Sequence, residues 1–183
     1  MKYTERMATD DPDKPVFKAF IEPTSQVGGP DVVVVKFTRS YCEPAHSLLA
    51  QKSLAPRLRY CEKVDSIGMY AVVMDLVAGT VAQVPCEDER ITSKLRTAIQ
   101  TLHDASFVHG DLREPNILVT DDGDMNLIDF DWCGKEGEAR YPSDINLGDG
   151  LPWDHRVACG GLIKKEHDEH MYSRFVGSNQ RRP

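Results

Sequence analysis

One stretch of the sequence, residues 107–134 (FVHGDLREPNILVTDDGDMNLIDFDWCG), limits the fold of this chain more than any other. Asp111 is followed five residues later by Asn116, and then by apolar residues typical of a short strand. An acidic turn with a glycine at residues 120–124 comes next, and Asp129 follows a second short strand. Two strands around this turn would place Asn116 and Asp129 opposite each other, with the loop that carries Asp111 nearby.

These side chains have the chemistry that phosphoryl transfer requires. A carboxylate such as Asp111 can accept or orient a hydroxyl proton, while an amide oxygen of Asn116 and a carboxylate of Asp129 can hold Mg²⁺ across phosphates. The alternative interpretation is an acidic, loop-rich hairpin with ordinary turn residues. The order and spacing of the groups favour the chemical interpretation.

The same stretch resembles the catalytic loop and the metal-binding segment of the protein-kinase-like superfamily. Residues 109–111 (HGD) stand where protein kinases have His-Arg-Asp, and residues 128–131 (IDFD) match the Asp-Phe-Gly segment. Glycine in the place of the arginine, and aspartate in the place of the last glycine, are similar to aminoglycoside phosphotransferases, choline kinases and related small-molecule kinases. The later stretch 160–171 (GGLIKKEHDEHM) resembles kinase-like proteins of fungi.

The resemblance implies an α+β fold, a reduced two-lobed kinase-like domain. Its N-lobe would have a small antiparallel sheet and one helix, and its C-lobe would be shortened and mainly helical. The 183 residues would form one truncated domain. This domain would comprise a flexible arm at residues 1–15, the N-lobe at 16–77, the C-lobe at 78–175 and a flexible tail at 176–183.

Hydrophobic periodicity predicts a matching order of secondary structure. Strands are predicted at residues 16–22, 31–37, 59–64, 69–77, 117–119 and 125–128, and helices at 43–52, 88–105 and 164–175. The first two of these strands are joined by a turn that contains Gly28 and Gly29, which predicts a hairpin.

The resemblance also implies roles for individual polar residues. Lys36, at the end of the run VVVVK, would contact the α- and β-phosphates of ATP. Glu43 at the start of the next helix would be the ion-pair partner of Lys36, with His46 on the same helix face as the alternative partner. Asp111 would accept the hydroxyl proton, and Arg113 would neutralise the transferred phosphate.

Residues 69–80 (MYAVVMDLVAGT) resemble the strand and hinge that hold adenine. Met74 would be the gatekeeper side chain, and backbone groups of Asp75 and Val77 would bond the purine edge. An ordinary buried strand that ends at a glycine turn explains the same residues in isolation. Asp131 is either a partner of the metal ligands or a solvated acid.

Two more histidine-containing features have structural interpretations. His109 is predicted to pack beneath the metal-binding segment rather than to act as a base. The group Glu166, His167, Asp168 and His170 is predicted to be a charged helix face, because its spacing matches no familiar zinc motif.

Two departures from the kinase pattern stand out. No glycine-rich loop is recognisable upstream of Lys36, so the first strand and the loop that covers the phosphates are predicted to be missing or unrecognisable. Only 54 residues follow Asp129, which predicts a reduced substrate platform. The glycine at position 110, in the usual place of an arginine, argues against control by phosphorylation of an activation loop.

Composition limits the classes of partner and the cellular compartment that are expected for this chain. A net charge of −7 and a pI near 5.3 argue against nucleic acid and anionic membranes as partners. Five cysteines without a C-x-x-C pair are typical of a reducing compartment. The N-terminus lacks a signal-peptide pattern and no apolar run has membrane-spanning length, which predicts a cytoplasmic protein.

Together these features predict a phosphotransferase that uses ATP and Mg²⁺ on a hydroxyl group of a small molecule or a peptide. One alternative is a truncated pseudokinase that binds or scaffolds a protein partner. The other alternative is an enzyme of the same fold that uses ATP for adenylation or condensation.

Overall fold

The N-terminal part of the chain forms a five-stranded antiparallel sheet in this computed structural model, which describes residues 1–7, 15–22, 31–148 and 150–177. The strands lie in the order β1-β2-β3-β5-β4. Their bounds are β1 (Lys2–Arg6), β2 (Val16–Ile21), β3 (Asp31–Thr38), β4 (Leu58–Val64) and β5 (Met69–Asp75).

The valines of β3 explain its central place in the sheet. Val33 and Val35 are buried together with Ala19 of β2 and Val73 of β5. Side chains branched at Cβ favour an extended backbone and pack well on a half-buried sheet surface. Lys36 follows directly in the same strand, so the packing of β3 determines where this lysine leaves the sheet.

Among the described residues, the C-terminal part contains two of three helices and two small sheets. In chain order, after helix α1 (Glu43–Ala50) in the N-terminal part, it has β6 (Gly79–Val81), α2 (Glu89–Asp104), β7 (Phe107–Val108), a 3-10 turn (Glu114–Asn116), β8 (Ile117–Thr120), β9 (Met125–Leu127), β10 (Gly134–Lys135) and α3 (Lys165–Phe175). One sheet has the order β6-β8-β9, and the other pairs β7 with β10.

Helix α2 carries the main core of the molecule. Asp88 caps its N-terminus by accepting a hydrogen bond from the N–H of Arg90 at 2.8 Å. One apolar stripe of α2 is buried against α1, β9 and α3. The residues of this stripe are Ile91, Leu95, Ala98, Ile99 and Leu102.

The architecture is mixed, with antiparallel sheets and three α-helices in the described ranges, and it is compatible with a reduced kinase-like fold. The hairpin predicted from the first two strands is confirmed by the antiparallel pairing of β2 and β3. The predicted helices correspond to α1, α2 and α3, with shifts of two residues or fewer at each end. The turn at Gly28 and Gly29 lies outside the described residues.

The structure differs from the sequence prediction at its N-terminus. Strand β1 lies within the segment predicted to be a flexible arm, and it supplies the first strand that was predicted to be missing. All five residues of β1 are exposed, and the strand is held by backbone pairing with β2. The connection from β1 to β2 is residues 7–15, of which 8–14 (ATDDPDK) lie outside the described residues and contain no glycine.

The segment between β9 and α3 contains little regular structure, namely β10 and a single bridge between Arg140 and Leu162. It packs through a small cluster of buried residues around Tyr141 and Ile163. None of the helices in the described ranges has the length and apolar character needed to span a bilayer.

Candidate active site

Lys36 joins the sheet to the segment that follows β9. Its Nζ lies 2.5 Å from Oδ1 of Asp129 and 2.8 Å from Oδ1 of Asp131. Burial alone would lower the pKa of Lys36, but the two carboxylates outweigh it and the pKa is raised. Lys36 is therefore a buried permanent cation shared between two carboxylates that lie more than 90 residues away in the sequence.

The pairing of β8 with β9 brings Asn116 next to Asp129. Ile117 lies opposite Leu127, and the N–H of Ile128 donates to the carbonyl of Asn116 at 2.9 Å. Asp129 follows directly with φ of 67°, a left-handed conformation that turns the chain sharply after the strand. This arrangement has the geometry that the sequence pattern predicted for the two residues.

Asp111 lies in a loop held by local hydrogen bonds and is buried, with 5% of its surface exposed. Nδ2 of Asn116 donates to the carbonyl of Asp111 at 2.9 Å. Because the amide nitrogen is used in this way, the amide oxygen of Asn116 is the end of the side chain left for another ligand. Asn116 is therefore oriented by the same loop that carries Asp111.

Arg113 binds both carboxylate oxygens of Asp111. Nε lies 2.5 Å from Oδ1 and Nη2 lies 2.9 Å from Oδ2. These hydrogen bonds raise the pKa of Arg113. Its guanidinium also lies 5.0 Å from the ring centroid of Trp153, a cation–π contact that holds the side chain over the site.

Phe130, between Asp129 and Asp131, is fully buried and ties this segment to α1. Its ring stacks on His46 with centroids 4.6 Å apart and meets the ring of His109 edge-on at 5.4 Å. The N–H of Cys42, directly before α1, donates to the carbonyl of Phe130 at 3.1 Å. His109 is completely buried and its pKa is lowered by burial, which agrees with a packing role.

The structure does not pair Lys36 with a residue of α1. Glu43 is exposed at the start of α1. Burial, with a smaller contribution from the charge of Glu43, raises the pKa of the Cys61 thiol in β4. His46 instead bonds the hydroxyl of Tyr41 at 2.6 Å and the carbonyl of Pro56 at 2.7 Å. The predicted ion pair is not formed in this structure, in which Nζ of Lys36 contacts Asp129 and Asp131 instead.

The segment predicted to hold adenine is the end of β5. Met74 is buried and lies opposite Val34 of the central strand. The carboxylate of Asp75 pairs with Arg59, while its N–H donates to the carbonyl of Arg57 at 3.0 Å. Val77 follows beyond the sheet, half-buried, and its N–H donates to no backbone group in the described part of the chain.

Asp168 is a functional residue that the sequence pattern did not reveal. It is 1% exposed and accepts hydrogen bonds from the N–H groups of His109 at 2.9 Å and Gly110 at 2.8 Å. Nε2 of His103 lies 3.0 Å from the same carboxylate. Asp168 therefore anchors the loop that carries Asp111 to α3.

The predicted charged face of α3 is wrong for two of its four members, because His167 and Asp168 are buried. Met171 and Phe175 follow at helical spacing on the same buried face. Their apolar side chains were the sequence pattern that could have predicted the burial of this face. The described residues contain no cluster of three or more metal-ligating side chains.

Two comparisons with known proteins bear on this site. Residues 57–133 match the RIO domain, an atypical kinase-like domain. The matched range runs from β4 to just beyond Asp131 and includes Met74, Asp111 and Asn116. Residues 57–133 are therefore similar to an atypical kinase-like domain.

The chain is also similar to a protein of Methanothermobacter thermautotrophicus named "Probable bifunctional tRNA threonylcarbamoyladenosine biosynthesis protein". The two are 41% identical over 74 residues, which is 40% of this chain and 12% of that protein. Neither comparison supports the likeness to fungal kinase-like proteins or to aminoglycoside phosphotransferases.

His46 makes the stability of the site depend on pH. Burial lowers its pKa from 6.5 to about 4, so the unfolded chain takes up the proton first as the pH falls. The stabilisation that neutral His46 contributes is complete above the pKa of this residue in the unfolded chain. It is lost as the pH falls from about 6.5 towards 4. When the pH falls from 7 to 5, the free energy of unfolding of the wild type should decrease by about 1–2 kcal/mol more than that of His46→Gln.

Urea unfolding at the two pH values measures this difference. His155→Gln is the comparison variant, because it makes the same substitution at an exposed side chain. An equal loss of stability in wild type and in His46→Gln would contradict a neutral, buried His46.

Proposed function

We propose that this chain is an ATP- and Mg²⁺-dependent phosphotransferase that acts on a hydroxyl group of a small molecule or a peptide. The observation that carries the proposal is the 2.5 Å contact between Lys36 and Asp129. This contact brings the cation of the sheet onto the carboxylate of the segment after β9, so phosphates and a metal ion could be held at one point between them.

Asn116 and Asp129 would hold Mg²⁺. The two side chains lie at neighbouring strand ends, and the amide oxygen of Asn116 remains available because its nitrogen is used by the Asp111 carbonyl. Mg²⁺ in phosphoryl-transfer sites takes few protein oxygens and completes its shell with phosphates and water. When bound, the metal would neutralise charge on the phosphates.

Asp111 would accept the proton of the acceptor hydroxyl. Its carboxylate is held at a defined position by the hydrogen bonds of its own loop and by both nitrogens of Arg113. The guanidinium of Arg113 is a permanent charge beside that carboxylate and would steady the transferred phosphoryl group. Lys36 would hold the α- and β-phosphates.

In this proposal, adenine and the acceptor occupy the two remaining parts of the site. Met74 would form the back of the adenine site, and the backbone of Asp75 and Val77 would bond the purine edge. A cavity of about 790 Å³ lies beside the loop that carries Asp111. Its other walls are formed by α3 and by residues 150–156. Arg113 and Glu114 line this cavity, which supports a polar acceptor.

Asp129→Ala tests the metal-binding part of the proposal. Incubation of the purified chain with ATP, Mg²⁺ and candidate acceptors should produce ADP, and this variant should lower ADP formation at least about 100-fold. Asp122→Ala is the matched control, since Asp122 is exposed in the turn between β8 and β9.

The identity of the nucleotide product separates the alternatives. ADP supports phosphoryl transfer, whereas AMP or pyrophosphate contradicts it and supports adenylation or condensation. If the chain binds no nucleotide with Mg²⁺, Mn²⁺ or Ca²⁺, both enzymatic functions are wrong.

A binding module of the pseudokinase type is the second candidate. The observation that favours it is that Arg113 occupies both oxygens of Asp111 while Lys36 is held by two carboxylates. A site with its charges paired internally could bind a protein partner without turnover. The role named for the Methanothermobacter relative is not transferred to this chain, because the similarity covers only 12% of that protein.

A further inference from the structure

We propose that Asp131, rather than a residue of α1, is the positioning residue that fixes the side chain of Lys36. The inference rests on the proposed function, in which Lys36 holds the phosphates of ATP. Asp131 occupies the last position of the Asp-Phe-Asp segment, where the kinase pattern has a glycine that could make no such contact.

Asp131 contacts two side chains at the end of β3 and one in the turn that follows it. Its Oδ1 lies 2.8 Å from Nζ of Lys36, and its Oδ2 accepts a hydrogen bond from the hydroxyl of Thr38 at 2.8 Å. The hydroxyl of Ser40 donates to the backbone carbonyl of Asp131 at 2.6 Å. Because Lys36 and Thr38 are two residues apart in a strand, their side chains lie on the same face and reach one carboxylate together.

Lys36 is the partner that Oδ1 of Asp131 requires. This oxygen is buried and has no aligned hydrogen bond from any group in the described ranges, so the nearby ammonium is what compensates its charge. A buried carboxylate without a cation would be costly. The ammonium of Lys36 therefore compensates the charge of Asp131, and the carboxylate of Asp131 in turn holds Lys36 in place.

Asp129 contacts the same lysine but has a second duty in the proposed function, because it would hold Mg²⁺. Asp131 would keep Lys36 in position when Asp129 shares its charge with the metal. Glu43, the partner implied by the kinase resemblance, is exposed near Cys61. The position of Lys36 is thus set by the metal-binding segment, without a direct contact between Lys36 and a residue of α1.

Asp131→Asn and Glu43→Gln form the matched pair for the test. Both remove one carboxylate and keep the shape of the side chain, and Asp131→Asn can still accept the hydrogen bond of Thr38. Unfolding curves establish that each variant is folded. Affinity for a fluorescent ATP analogue and the split between KM for ATP and kcat are then measured for both variants and for wild type.

We expect Asp131→Asn to weaken nucleotide affinity and to raise KM for ATP by about 10- to 100-fold, the effect of one charge-assisted hydrogen bond, with a smaller change in kcat. Glu43→Gln should match wild type. Equal affinities for the two variants would overturn the inference. A shift in the Mg²⁺ concentration needed for half-maximal activity, with nucleotide affinity unchanged at saturating Mg²⁺, would also overturn it and would make Asp131 a metal ligand.

A crystal structure of each variant makes the test independent of the proposed function. Nζ of Lys36 should move away from residue 131 towards Asp129 in Asp131→Asn and should keep both carboxylate contacts in Glu43→Gln, whether or not nucleotide binds. An unchanged Lys36 in the Asp131→Asn crystal would overturn the inference. Failure of wild type to bind any nucleotide would overturn the proposed function, while the crystal structures would still decide what holds the lysine.

Discussion

Asp111→Asn should reduce turnover by about 10²–10⁴-fold while the affinity for ATP stays nearly unchanged. An amide cannot accept the hydroxyl proton that the carboxylate of Asp111 would take. The backbone contact of Asp111 with Asn116 and the anchoring of the loop by Asp168 do not involve the substituted oxygen, so the metal-binding side chains should keep their positions. Turnover with ATP and an accepted substrate measures the first effect, and equilibrium nucleotide binding measures the second.

Asp104→Asn is the control for this substitution, because Asp104 lies exposed at the end of α2 and accepts a hydrogen bond only from Gln100 among the described residues. It should leave turnover at the wild-type value. A loss of ATP affinity as large as the loss of turnover would contradict the role of Asp111 as the proton acceptor and would assign it to nucleotide binding instead.

Asp168→Ala should lower the free energy of unfolding by about 3–5 kcal/mol. The substitution leaves the N–H groups of His109 and Gly110, and one nitrogen of His103, without the carboxylate that they bond in a fully buried place. Each unsatisfied buried donor costs about 1–3 kcal/mol. Denaturation in guanidinium chloride, followed by circular dichroism, measures the difference.

Glu169→Ala, one residue further along α3, is the matched control. Its ion pair with Arg96 is partly exposed on both sides, and such pairs contribute about 0–1 kcal/mol. If the two variants lose the same stability, Asp168 does not anchor the loop. Asp168→Asn should lie between them, because an amide oxygen can still accept one of the backbone hydrogen bonds.

The prediction of secondary structure worked where a residue pattern is local. Helix α2 was predicted because Ile91, Leu95, Ile99 and Leu102 repeat with helical spacing, and β3 because a run of valines favours an extended chain. Strand β1 was missed because its five residues are exposed and carry no apolar alternation. It is held by backbone hydrogen bonds to β2, which require no particular pattern of apolar side chains.

In the candidate site, too, the residues that are close in sequence could be predicted and the long-range contacts could not. Asp111, Asn116 and Asp129 could be found in the sequence because one loop and one hairpin hold all three, and the RIO match covers this stretch. The partner of Lys36 could not be found there. Its two carboxylates lie more than 90 residues away, and the kinase resemblance pointed to Glu43 instead.

The sequence by itself determined the local parts of this protein, namely its main helices, the β2–β3 hairpin and the order of polar groups around Asp111. Tertiary structure alone decided which side chains meet between the N-terminal and the C-terminal parts of the chain. Asp168 reaches the backbone of His109 across 59 residues of sequence, and Asp131 meets Lys36 through the packing of Phe130 against α1. The physical reason is that burial and charge compensation depend on distances between elements, and no spacing along the chain encodes those distances.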